Sequence, residues 1–206
     1  MSSRSTPYLT SLLIPALLAV LFGLFLHQIR WLSFISLGVC FMLLLIRIWS
    51  MSFTEIRQVF GFHGCRWHWI LKGVIFGIGL AMVLRWYQTH TLYPCPLHPF
   101  LMIAVMVGLT EELLFRGYFF GHLHQWQGAT TAIMTSALLH TAYKVALFIS
   151  STQTDELLFL GSLTFCAGLL LGHWRKASGS IWPCIFFHAL FDLWVYGDRT
   201  TPWWVW

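Results

Sequence analysis

The 206-residue chain is 58% hydrophobic and only 9% charged, with a mean hydropathy of +0.72 and a formal net charge of +5. An ordinary soluble domain carries about 25% charged residues, so this chain lacks the polar surface to face water on all sides. It is expected to be an all-α, polytopic transmembrane helical bundle. Its basic residues are scattered rather than gathered in a stripe, which excludes a nucleic-acid partner. Five cysteines without a CxxC pair give neither a disulfide framework nor a zinc knuckle.

Apolar runs long enough to cross a bilayer recur at 8–27, 31–49, 68–87, 98–121, 129–150, 157–174 and 179–197. Backbone polar groups in lipid must be satisfied within the segment, so each run is expected as a helix. The short alternating segments of a β-barrel are absent. The first run contains Pro15, is preceded by one basic residue, Arg4, and is too long for a signal h-region, so it is expected to be retained. Residues 50–67 are expected as a loop with an amphipathic interfacial piece. No fixed-period repeat or low-complexity linker breaks the chain, so 1–206 is expected as one membrane domain.

Lysine and arginine set the orientation. With the N-terminus in the cytoplasm, Arg4, Arg47, Arg57, Arg66, Lys72, Arg116, Arg175 and Lys176 fall on or near the cytoplasmic side. Arg30, Arg85 and Arg199 then fall near the outer side, as does the tail "TPWWVW", whose tryptophans suit a headgroup layer.

Of the seven acidic residues, Glu111, Glu112 and Asp192 lie inside predicted spans, and so do His140 and His188. A carboxylate at the bilayer centre costs about 2.5–3.5 kcal/mol on insertion scales. Intramembrane ionisable groups therefore face a bundle interior or water cavity and are functional candidates. A helical rise of 1.5 Å per residue puts Glu111 about 14 Å deep, His140 about 17 Å, His188 about 14 Å and Asp192 about 20 Å. Residues from three helices thus fall in one layer. Glu112 and Arg116 are i, i+4 with the acid first, the favoured order for an ion pair; Glu111, rotated by about 100°, faces elsewhere. His188 and Asp192 are again i, i+4 and share a face.

The run Glu111-Glu112-x-x-x-Arg116-Gly117, the histidine closing "SALLH", and "GSIWPCIFFHALFD" resemble, in order and spacing, the three motifs of the CPBP family, the CAAX-protease and bacteriocin-processing group. The likeness covers 108–192, and the catalytic core is expected at about 98–197. Two positions depart from the family pattern. Ser136 stands where an aromatic usually precedes the second-motif histidine by four residues, and Asp192 stands where Asn is commoner. An Asn amide donates to an oxyanion, whereas an ionised Asp only accepts.

The resemblance implies a glutamate-type intramembrane endopeptidase acting on a membrane-associated peptide, such as a CAAX-like tail or a C-terminal anchor or precursor. Glu111 would act as general base on water. His140 and His188, assisted by Asp192, would position the water and stabilise the oxyanion. Glu112 and Arg116 would support the motif helix. No cofactor is needed for this chemistry. The alternative is a zinc protease of the same fold, with Glu111, His140, His188 and Asp192 as ligands, although no HExxH is present. Size and resemblance make a bacterial inner membrane the expected location. A non-catalytic scaffold or immunity protein is a further alternative, opposed by the cost of burying an intact acid–histidine set. A proton-relaying transporter would show repeated halves, and none are seen.

Other residues have plainer expectations. Cys184, one turn before His188, reads as a small packing residue. His63, His68, His90, His98, His122 and His124 read as solvated or interfacial, with His122 and His124 close enough to the glutamates to line an entrance. The pairs Gly73/Gly77 and Gly168/Gly172 read as close helix packing within the bundle. Lys144, four residues after His140, is expected to snorkel or to pair with an acid.

Overall fold

The computed structural model describes residues 5–25, 29–99, 101–149 and 153–199, with no strand among them. The tail "TPWWVW" lies outside them. Helices occupy each predicted span: α1 Ser5–Phe25, α2 Arg30–Trp49, α4 Trp67–Thr89, α5 Leu101–Glu112, α7 Ala129–Phe148, α8 Thr154–Ser178 and α9 Trp182–Tyr196. After α5 the chain continues without a break through a π-helical segment, Leu113–Phe119, into α6 Phe120–Gln127. The helix expected to close at residue 121 thus extends to 127. Among the described residues, only α4 and α8 are long and apolar enough to cross a membrane on those two criteria. α5 and α9, at 12 and 15 residues, fall short on length.

The expected interfacial piece is α3 Phe53–Phe60. Ser52 and Glu55 form a capping box, and Gly61 closes the helix at φ 71, a left-handed conformation open to glycine. The Ser52-x-x-Glu55 spacing announces this start. α3 packs beneath the π segment and α6. Arg175 of α8 ties α3 to the bundle by donating to the carbonyls of Gln58 and Val59.

Glycines set the helix contacts. A Cβ at Gly77 would stand 2.5 Å from the Phe187 carbonyl oxygen, and one at Gly73 would strike that of Pro183. α4 and α9 therefore run side by side in the same direction with their backbones in near contact. Gly168 and Gly172 face Ala137 and Ile133, which brings α8 antiparallel to α7. Both glycine pairs thus serve packing inside the bundle, as expected. At the far end of α4, Arg85 donates to the carbonyls of Trp194 and Val195, which close α9, and pairs with Asp198 at 2.7 Å. A helix end in an apolar setting needs such donors for its last carbonyls.

α4 also gives a scale along the bundle. Exposed Trp67 and Trp86 mark its two ends. Gly77 lies ten residues from the first and nine from the second, so about 15 Å and about 14 Å away. The Phe187–His188 level of α9, which touches Gly77, is therefore close to midway between those two tryptophans.

Candidate active site

α5 with its π-helical continuation, α7 and α9 bring all six sequence-selected residues together. Glu111, Glu112, Arg116, His140, His188 and Asp192 are each at least nine-tenths buried. Glu112 and Arg116 form the i, i+4 pair at 3.0 Å. The π segment begins between them. Its wider i→i+5 turn brings Arg116 back over Glu112, and such bulges recur at functional sites.

The pair is not isolated from the histidines. The Arg116 guanidinium also lies 2.7 Å from His140 Nδ1. A guanidinium only donates, so Nδ1 accepts, and the proton of the neutral ring sits on Nε2. That N–H points at Glu111 Oε2, 3.0 Å away. Glu112 Oε1 also lies 2.8 Å from His188 Nδ1. Nε2 of His188 faces Glu111 Oε2 at 3.5 Å and Asp192 Oδ2 at 3.7 Å. The two imidazoles stand 5.9 Å apart, with Glu111 reaching both. The polar layer inferred from depth is thus one connected network.

Several further residues complete it. Phe115 stacks on the His140 ring at 4.5 Å between centroids and supplies an aromatic face beside the small Ser136. Gly108, one turn before the glutamates, lets α9 come close: a Cβ there would stand 2.6 Å from Asp192 Oδ2 and 3.1 Å from His188 Cδ2. A lone glycine inside an apolar helix is the available signal for such an approach. Gly168 similarly leaves room for the Arg116 guanidinium. Lys144 pairs with an acid, one of its two expected fates, and that acid is Glu111: Nζ lies 2.7 Å from Oε1.

Other expectations are resolved by position. Cys184 is fully buried and its thiol donates to the Leu171 carbonyl, away from His188. His122 departs from the solvated reading. It is 4% exposed, packs edge-on against Tyr118, and neither ring nitrogen has a hydrogen-bond partner. One residue past the predicted span, it lies within reach of the Arg47 and Glu55 charges. Burial, aided by the Arg47 charge and opposed by Glu55, brings its pKa down to about 4.

Among the described residues, no group of three or more His, Cys, Asp or Glu is arranged to hold a metal ion. Of the would-be ligands, Glu111 has a cationic neighbour instead: its Oε1 faces Lys144. An ammonium 2.7 Å from a ligand carboxylate does not fit a zinc site.

Residues 93–194, about half of the chain, match the family model described as Rce1-like, type II CAAX prenyl endopeptidase. No curated protein and no solved structure gives a significant match. The matched segment contains every residue of the buried network.

Proposed function

The chain carries an Rce1-like domain of the CAAX-protease family, a family of integral-membrane proteases, and from that premise we propose that it is an intramembrane endopeptidase in which Glu111 activates water without a metal. The observation that supports this most directly is the place of Glu111. It is the one carboxylate in contact with His140, His188 and Lys144 together. Glu112, by contrast, is committed to Arg116 and His188 Nδ1.

The chemistry runs in two steps. Glu111 takes a proton from water while the water oxygen bonds to the scissile carbonyl carbon, whose π electrons move onto oxygen. The tetrahedral oxyanion is held by donors preorganised in a water-poor site. The C–N bond then breaks, and the proton on Glu111 passes to the departing amine. His140 keeps Glu111 oriented through its Nε2–H, and Arg116 holds that tautomer. His188, fixed through Nδ1 by Glu112, presents Nε2 to the reacting centre. The contact of Gly77 with the Phe187 level of α9, midway along α4, supports a site within the bilayer, within reach of a membrane-associated tail or anchor. The substrate is a CAAX-like tail or a C-terminal anchor or precursor, reached from the cytoplasmic face of a bacterial inner membrane, with the N-terminus on that side. The concentration of basic residues beside α3 and at the end of α8 supports that orientation.

The test is cleavage of membrane peptides by purified wild-type protein and by Glu111→Gln, with and without a chelator. The expected result is wild-type cleavage, indifferent to chelator, that the substitution abolishes. Loss of activity with chelator and recovery with zinc would replace this mechanism with a metal-dependent one. Full activity of Glu111→Gln would remove Glu111 from the chemistry.

A further inference from the structure

The network leaves one chemical requirement open. Hydrolysis places negative charge on the former carbonyl oxygen, and that charge needs donors. Three carboxylates, Glu111, Glu112 and Asp192, already crowd the site. An ionised Asp192 only accepts. The N–H of His140 is given to Glu111, the neutral His188 ring gives its Nδ1–H to Glu112, and Arg116, though its Nε and Nη2 have no hydrogen-bond partner, is fully buried against Glu112 and His140. The cation on the open side of Glu111 is Lys144. It projects from α7 one turn beyond His140, its side chain is 15% exposed, and it interacts electrostatically with Asp192 as well as Glu111. Its ammonium carries three donors, which rotate to suit their acceptors.

We propose that Lys144 is a catalytic residue, donating a hydrogen bond from Nζ to the oxyanion and so supplying the donor that a carboxylate at position 192 withholds. The assignment rests on the peptidase reading above. No proton leaves Lys144. The ammonium turns from Glu111 Oε1 towards the new oxyanion as Glu111 accepts the proton from water and loses its own negative charge. The exchange keeps the local charge constant, because the negative charge moves from the carboxylate to the oxyanion while the ammonium remains beside both. Lys144 and Asp192 then form a matched pair, in which an acidic residue at 192 is tolerated because the lysine is present.

The experiment uses the full chain in detergent micelles and an internally quenched, farnesylated peptide ending in a CAAX tail. It compares wild type, Lys144→Met, Lys144→Met/Asp192→Asn and Lys144→Met/Asp192→Leu. Removing one oxyanion donor lowers kcat by about 10²–10³-fold, so Lys144→Met is expected to lose that much kcat with little change in KM. Asp192→Asn in the same background restores a neutral donor and is expected to recover at least about tenfold on the same scale. Asp192→Leu rebalances charge without a donor and is expected to recover nothing. Equal recovery by Asn and Leu would reduce Lys144 to charge balance and overturn the assignment. So would a Lys144→Met enzyme as fast as wild type. A wild type that leaves the peptide intact would overturn the peptidase reading on this substrate class and the Lys144 assignment with it.

Discussion

Replacing Arg116 by Met tests how the site is held together. The side chain is fully buried and contacts two partners at once, Glu112 at 3.0 Å and His140 Nδ1 at 2.7 Å. Breaking a buried ion pair from one side strands a charge and costs about 3–5 kcal/mol. His188 Nδ1 remains 2.8 Å from Glu112 Oε1 after the change, so the lower end, about 3 kcal/mol, is expected. For a chain of this size each kcal/mol moves the midpoint by about 2–4 °C, giving a Tm lower by about 6–12 °C in detergent. Adding Glu112→Gln removes the stranded charge and should return most of that loss. A second readout follows the tautomer. Without Arg116, His140 Nδ1 no longer has to accept, and ¹⁵N-histidine NMR should show a mixture where wild type shows protonation at Nε2 alone. A Tm within 2 °C of wild type, by the same scaling, or an unchanged His140 tautomer would refute the bridging role of Arg116.

Gly108→Ala puts a methyl 2.6 Å from Asp192 Oδ2. Because the atom it meets ends a side chain, cleavage is expected to fall by about tenfold or more, as a small misplacement of reacting groups can do, while Tm changes little. Gly77→Ala instead meets the Phe187 backbone carbonyl at 2.5 Å. It must part α4 from α9, and thermal unfolding should show a cost of about 1–3 kcal/mol. His122 predicts an acid dependence. With a folded pKa of about 4 and an unfolded value near 6.5, the unfolded chain binds the extra proton between those limits. Stability should be full above about pH 6.5 and fall as pH drops towards 4. His122→Phe should flatten that part of a Tm-versus-pH curve.

Much of the site was legible because its parts violate the solvent they sit in. Carboxylates and imidazoles in apolar runs stand out on cost alone, and i, i+4 spacing assigned Glu112 to Arg116 and His188 to the face of Asp192. The glycine pairs were likewise readable, since close helix approach requires small residues at helical spacing. Other features carried weaker local marks. Residues 113–119 contain no proline, and Arg116 and Gly117 do not by themselves announce a π turn. His122 looked interfacial because it stands just past the end of a predicted span, yet α3 packs against its helix.

Sequence by itself determined the helical class, the order of the helices and the acids and histidines that must hide from lipid. Those follow from local periodicity and from the cost of polar groups in hydrocarbon, both of which act along one segment. Only the tertiary structure decided which oxygen meets which nitrogen. Arg116 reaches His140, Glu112 reaches His188, and Lys144 reaches Glu111 across gaps of 24, 76 and 33 positions in the chain. Such contacts depend on the rotation and depth of packed helices, which small residues such as Gly77, Gly108 and Gly168 set jointly and no single segment encodes.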